Sequence, residues 1–282
     1  MSDTFRLGGD GPEVRRLGFG AMRITGPGIW GEPPDREAAR AVVRRAVELG
    51  VNLIDTSDAY GPGVSEEILA EALHPYPDGL VIATKGGLLR SGPGQWSRDG
   101  RPEHLREACD GSLRRLRLDT IELYQLHAVD SQVPLEESVG ALVELREEGK
   151  IRRIGLSNVD TDQLERVLGL TEVVTVQNRY NLVDRRSEDV LEACERRGIG
   201  FIPWFPLATG DLAAPGGALE EVARRHEATP GQVALAWLLA RGDVMLPIPG
   251  TGSLEHLEEN MGATRVRLDP DDVAALGDAA EG

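Results

Sequence analysis

Two hydrophobic rhythms alternate along this chain from one end to the other. Short runs dense in apolar and β-branched residues read as strands: RRLGFGAM, VNLIDTS, LVIATK, TIELYQLH, IRRIGLSN, VVTVQN, GFIPWFP and VMLPIPG. Between them the apolar residues return every three or four positions, the spacing of a helix with one buried face. These segments are DREAARAVVRRAVELG, SEEILAEAL, RPEHLREACDGSLRRL, LEESVGALVELREEG, TDQLERVLG, SEDVLEACERRG and TPGQVALAWLLARG, with SLEHLEEN after the last strand. Asp35 and Ser65 are expected to cap helices, Gly50, Gly149 and Gly198 to end them, and Pro230 to begin one. Strands that alternate with helices call for a parallel sheet. Eight such units in about 250 residues fit a closed (β/α)8 TIM barrel of the α/β class. A doubly wound sheet is the weaker reading, because no GxGxxG follows the first strand. The opening TFRLGGDGPEVRRL predicts a short N-terminal β-hairpin turning at Gly8, Gly9, Asp10 and Gly11. No interior linker or low-complexity run interrupts the pattern, so residues 1–282 are read as a single barrel domain.

Composition narrows the partners. The formal net charge of −16 argues against nucleic acid or an anionic membrane. No apolar stretch approaches the ~20 residues that span a bilayer. The N-terminus has neither the basic start nor the apolar core of a secretory signal, so a soluble cytoplasmic protein is expected. Cys109 and Cys194 fall in helical segments and read as small core residues. No cysteine–histidine spacing suggests a metal. No long exposed apolar stripe calls for a partner, so a monomer acting on a small molecule is expected.

The candidate chemistry lies at strand ends. Only two of the 31 basic residues are lysines. Lys150 sits in the polar turn REEGKIRR, whereas Lys85 closes the apolar run LVIATK. An ammonium can change its pKa on burial, which a guanidinium does not. The second strand ends with Asp55, followed by Tyr60 in its loop; the third ends with Lys85 and the fourth with His127. In a barrel, reactions occur where strands end and the following loops begin. Singly, each residue has an ordinary use: a turn aspartate, a loop aromatic, a surface lysine, a histidine bonded to backbone. Together they make apparatus for protonating a carbonyl oxygen. An ammonium beside a phenol stabilises tyrosinate and lowers a pKa that is normally near ~10. Asp55 would hold Lys85 charged, and His127 would orient the carbonyl. No side chain is an evident nucleophile, so the missing reactant is a hydride from a cofactor.

With these residues in order, the chain resembles the aldo-keto reductase family over essentially its whole length. GVNLIDTSDAYGPGVSE is similar to the family's second-strand motif, and IATKGG and LYQLH follow in the expected order. The resemblance implies reduction of aldehydes or ketones with NADP(H). Tyr60 would be the general acid, Lys85 and Asp55 its tuning pair, and His127 the orienting group. It also implies that Ser157, Asn158 and Gln177 hold the nicotinamide carboxamide and that Trp204 stacks on the ring. Gly20, Ala21, Asp55, Phe205, Pro206 and Leu207 would border the cofactor, with Leu207 and the loop after it over the pyrophosphate. Gly250, Thr251, Gly252, Ser253 and His256 would take the adenosine phosphate, and Glu259 and Asn260 the adenine. The family commonly sets lysine and arginine on the 2′-phosphate, where this chain has Gly250 and His256, which keeps NAD(H) open as an alternative. Met22, Trp30 and Trp96 are expected to border the substrate. GAMRITGPGIWGEPPDR and EALHPYPDGLVIATK are most similar to a bacterial subgroup that includes pyridoxal reductases, which makes pyridoxal a candidate substrate. Two other readings stay open on the residues alone: a lyase using Lys85 as a Schiff-base nucleophile, and a nucleotide-sensing regulatory subunit.

Overall fold

The computed structural model describes residues 3–207 and 217–280. Strand β1 (Thr4–Arg6) pairs antiparallel with β2 (Glu13–Arg15), setting Phe5 opposite Val14. The turn between them runs through Gly8 at φ +75°, as the glycine run suggested. Leu7 and Val14 pack with Leu53, Val81, Ala83, Leu123, Ile202, Leu246 and Ile248, with Phe5 against the same cluster. The hairpin therefore plugs the amino-terminal end of the barrel with apolar side chains.

Seven parallel strands form the wall in the order β3 (Phe19–Gly20), β4 (Leu53–Asp55), β5 (Val81–Gly86), β8 (Ile121–Leu126), β9 (Ile151–Ser157), β10 (Thr175–Arg179) and β11 (Gly200–Trp204). Residues 244–249 complete it. Pro247 and Pro249 have no N–H to give, so this stretch lacks a regular ladder, yet their carbonyls still accept. Leu246 N donates to Phe201 O at 2.8 Å, while Gly18 N reaches Pro247 O at 2.9 Å and Gly20 N reaches Pro249 O at 3.3 Å. Both edges of the sheet are joined, and the (β/α)8 barrel is closed.

The helices surround this wall where the periodicity indicates. In α1 (Arg36–Glu48), Ala39, Val42, Val43 and Ala46 are the buried face, and Asp35 caps the start by accepting from Ala38 N at 2.9 Å. After it come α2 (Val64–Leu73), α3 (Pro102–Leu116), α4 (Leu135–Glu147), α5 (Thr161–Leu168), α6 (Glu188–Arg197), α8 (Pro230–Arg241) and α9 (Leu254–Gly262). Cys109 and Cys194 are buried and unbridged, and burial pushes both thiols up to about 12.

Four features differ from expectation. Ser65 is no cap: α2 begins at Val64, and the Ser65 hydroxyl instead donates to Ala21 O at 3.0 Å and meets Thr56 Oγ1 at 2.8 Å. A hairpin of β6 (Leu88–Gly92) and β7 (Gln95–Arg98) stands in the loop after β5. Helix α7 (Ala218–Arg225) precedes α8, so among the described residues the seventh strand is followed by two helices. Helix α10 (Pro270–Ala279) closes the chain, started by an Asp269–Asp272 capping box.

Candidate active site

Side chains along a strand alternate between its two faces. Along β4 the inward positions are Leu53 and Asp55, along β5 Val81, Ala83 and Lys85, and along β8 Leu123 and Gln125. The same alternation that fills the lower barrel with apolar groups thus brings a carboxylate, an ammonium and an amide to its upper layer. Lys85 is 1 % exposed and Asp55 2 %. Lys85 Nζ donates to Asp55 Oδ2 and to Thr56 O, both at 2.7 Å, and Gln125 Nε2 donates to Asp55 Oδ1 at 3.2 Å. Both carboxylate oxygens are satisfied, which a buried ion pair requires. Gly155 makes room for Gln125, since a Cβ there would lie 2.8 Å from Gln125 Cγ. Burial opposes the charge on Lys85, but Asp55 and Tyr60 together hold its pKa above the usual lysine value.

Tyr60 follows a tight turn in which its N–H donates to Ser57 O at 3.1 Å. Its ring centre lies 5.2 Å from Lys85 Nζ, and the ring meets His127 edge-on with centroids 5.9 Å apart. Burial pushes the phenol pKa upward, Lys85 pulls it down, and Asp55 pushes it up again; the net direction is upward. Lys85 acts in the expected sense, but the desolvation of a tyrosinate outweighs it. His127 lies just past β8, with its N–H on Gly86 O at 2.9 Å and Nδ1 at 3.1 Å from Ser57 Oγ. Burial and then the Lys85 charge hold its pKa well below the ordinary histidine value, so the ring is neutral at pH 7.

These groups open on a cavity of about 570 Å³ at the carboxyl ends of the strands. Asp55, Tyr60 and His127 line it, and Lys85 lies beneath them. Met22 and Trp96 also line it, together with Ile29 and Leu88, which sequence reasoning missed. Trp96 comes from the unexpected hairpin, 6.5 Å from the His127 ring. The Arg90 guanidinium lies 3.7 Å from the centre of the Trp96 ring and donates to Ile29 O at 2.8 Å, clamping the hairpin over the mouth. Trp30 is not in the lining. Its backbone bridges to Gly61, and its half-buried ring lies 5.8 Å from the Arg90 guanidinium.

The opposite wall carries Gly20, Ser157, Asn158, Gln177, Trp204, Phe205, Pro206, Leu207 and Gly250. Gln177 accepts from Gln125 Nε2 at 3.5 Å, while its own Nε2 has no protein partner among the described residues. Asn158, at φ 56°, donates to His127 O at 3.0 Å and accepts from Trp204 Nε1 at 3.0 Å, which fixes the indole at the rim. Ala21 is buried under Ser65 rather than in the lining. Thr251, Gly252, Ser253, His256, Glu259 and Asn260 lie further out, around the start of α9. There Ser253 caps the helix through His256 N, and the Glu259 carboxylate accepts from Thr229 Oγ1 at 2.6 Å. The loop after Leu207 lies outside the described residues. A second cavity, of about 650 Å³, opens among Arg15, Arg45, Arg265 and α8, well away from this cluster.

A closed (β/α)8 barrel with paired charge under a tyrosine at its carboxyl mouth is the build of a barrel oxidoreductase. Residues 16–281 match the profile of the Aldo/keto reductase family, and the chain belongs to that family. It is 50% identical over 263 residues to an uncharacterized oxidoreductase of Schizosaccharomyces pombe, covering 93% of this chain and 86% of that one. It is 42% identical over 281 residues to pyridoxine 4-dehydrogenase of Escherichia coli, covering 98% and 97%. Among solved structures it is similar to a glycerol dehydrogenase from Gluconobacter oxydans, with TM-score 0.89, 28% identity and coverage of 98% and 94%. An aldo-keto reductase from Klebsiella pneumoniae in complex with NADPH superposes with TM-score 0.82, 28% identity and the same coverage.

Proposed function

We propose that this oxidoreductase reduces aldehydes or ketones to alcohols, with Tyr60 giving the proton to the carbonyl oxygen. The observation that carries the reading is the buried Gln125–Asp55–Lys85 chain directly beneath Tyr60. A buried ammonium with satisfied partners is costly to build and suits a site where negative charge develops. The upward shift of Tyr60 keeps it a phenol at neutral pH, the form a proton donor needs. As its proton leaves, the Lys85 ammonium stabilises the tyrosinate. Neutral His127 can donate a hydrogen bond to the carbonyl and fix its direction. Met22, Ile29, Leu88 and Trp96 make an apolar rim that excludes water from the transfer.

A nicotinamide cofactor, when bound, would supply the hydride. The donor set fits such a ligand. The free Gln177 amide with Ser157 and Asn158 suits a carboxamide, and the Trp204 indole offers a flat apolar face. Gly20, Phe205, Pro206 and Leu207 would border it. Gly250, Thr251, Gly252, Ser253 and the start of α9 would take its phosphates, since helix N–H groups favour anions; Glu259 and Asn260 would meet the adenine. We favour NADPH over NADH. His256 is the only basic side chain in that helix, but Arg23 lines the cavity, and its carbonyl lies 3.1 Å from where a Cβ on Gly252 would sit. The complex of the Klebsiella relative with NADPH supports the choice. Pyridoxal is the first aldehyde to try, given the relative named pyridoxine 4-dehydrogenase.

The Schiff-base reading loses ground. Lys85 is buried under the other groups and held as an ammonium by Asp55, which leaves no free amine to attack a carbonyl. Titration of the protein with NADPH and with NADH, read by tryptophan fluorescence, tests the cofactor assignment. Tight binding of NADPH is expected, with NADH at least tenfold weaker (about 1.4 kcal/mol). Binding of neither nucleotide would remove the hydride source and the reading with it.

A further inference from the structure

One group behind the tetrad is unused by the mechanism above. The Ser57 hydroxyl is fully buried and touches three polar partners at once. It accepts from Ala59 N at 3.1 Å, donates to Asp58 Oδ1 at 3.0 Å, and lies 3.1 Å from His127 Nδ1. With Nδ1 on Ser57, the opposite ring nitrogen, Nε2, is the one left to the cavity, and no described residue hydrogen-bonds to it.

We propose that Ser57 and Asp58 are positioning residues that set which nitrogen of His127 carries its proton, and so whether the site offers substrate oxygen a donor or an acceptor. The inference rests on the carbonyl-reductase reading. Ser57 has one hydrogen to give. When Asp58 is ionised, that hydrogen goes to Asp58, and Ser57 Oγ is left to accept from His127 Nδ1–H. The neutral ring then presents the bare lone pair of Nε2 to the cavity, which suits an alcohol that donates its hydroxyl hydrogen. When Asp58 takes one proton from solvent, its O–H donates to Ser57 Oγ, and the Ser57 hydrogen turns to Nδ1. The imidazole proton then resides on Nε2, which can donate to a carbonyl. The ring stays neutral throughout, and one proton is gained in all, by Asp58.

The surroundings put this change in an accessible range. Asp58 is pushed up to about 7, first by burial and then by the Glu66 carboxylate, against the opposing pull of Ser57, Arg115 and Ala59 N–H. Glu66 is itself fully buried on α2, accepting from Thr84 Oγ1 at 2.6 Å and from Arg115 Nε at 2.7 Å. Tyr60 and Tyr124 also lie near enough to Asp58 to respond to its charge, and Asp58 N donates to Lys85 O at 3.4 Å. The shift of Asp58 brings its carboxyl to neutral pH.

The test uses the ¹⁵N shifts and long-range couplings of the five histidines, four of which serve as internal references. In the whole protein, His127 is expected to be Nε2–H at pH 6 and Nδ1–H at pH 8. In Ser57→Ala and in Asp58→Asn its state should not change between them. In parallel, the kcat for reduction in the native protein should fall about tenfold per pH unit above the Asp58 midpoint and below the Tyr60 titration, a fall that Asp58→Asn should lack. A native protein with one His127 tautomer at both pH values overturns the relay, and so does a tautomer change that survives Ser57→Ala. A tautomer change without carbonyl turnover would keep the relay and sink the reductase reading, so the two fail separately.

Discussion

The lower and upper ends of the barrel interior are built by the same strands, two residues apart, and could hardly differ more in content. Leu53, Ala83 and Leu123 fill the lower end under a hairpin plug of Leu7 and Val14. One alternation higher, Asp55, Lys85 and Gln125 share a closed hydrogen-bond chain below an open mouth. The strand geometry is common to both, so the backbone does not distinguish a packing layer from a reactive one. What distinguishes them is that the lower layer is sealed by apolar contact, while the upper one keeps buried charge that nothing in the packing requires. A layer of leucines at positions 55, 85 and 125 would close the barrel as well, and would lose the proton chemistry.

The comparison can be broken most severely at Lys85. Lys85→Met leaves the Asp55 carboxylate buried without its cation, and should cost about 3–5 kcal/mol in urea unfolding as well as turnover. Leu53→Ala, at the lower end, should cost about 2–4 kcal/mol through the cavity it leaves, with cofactor affinity and kcat close to native. Comparable loss of kcat in both variants would erase the distinction between the ends. A smaller effect is expected at Asp58, whose folded pKa is raised from 3.8 to about 7. A raised carboxyl pKa contributes stability that is present below the unfolded value and lost as pH rises through the folded one. Asp58→Asn should therefore gain on the native protein between pH 4 and pH 8, by about 1–3 kcal/mol once its partial contact with solvent is discounted; thermal unfolding at the two pH values reads this directly. Least of all should change at Tyr124, whose buried hydroxyl has no partner among the described residues. Tyr124→Phe should leave stability within about 1 kcal/mol of native or raise it, and a larger loss would mean that the hydroxyl is satisfied.

Much of this site was legible because it lies on strands, where a period of two fixes which residues share a face. Asp55, Lys85 and His127 follow from that rule, and Tyr60 from its loop. Gln125 was overlooked although it obeys the same rule: it stands two positions before His127, and its polarity inside an apolar strand was the available signal. Loops gave less. The β6–β7 hairpin that brings Trp96 to the mouth depends on Arg90 reaching backbone carbonyls far away in sequence, and no local pattern encodes that. Trp30, equally aromatic, stays out of the lining although its ring lies 5.8 Å from the same guanidinium. The start of α10 was readable in LDPDD as a cap with proline behind it, whereas α7 follows a glycine-rich stretch with no capping hydrogen bond. Ser65 could be either cap or interior hydroxyl by type; its bond to Ala21 O decided it.

The most direct test of the central claim is steady-state reduction of a simple aldehyde by native protein and by Tyr60→Phe, with nucleotide affinity measured on both. If Tyr60 gives the proton, kcat should fall by about 10²–10⁴-fold while nucleotide affinity stays within about threefold, less than 1 kcal/mol. Near-native turnover in Tyr60→Phe would contradict the account, because the buried pair beneath Tyr60 would then be serving some other group.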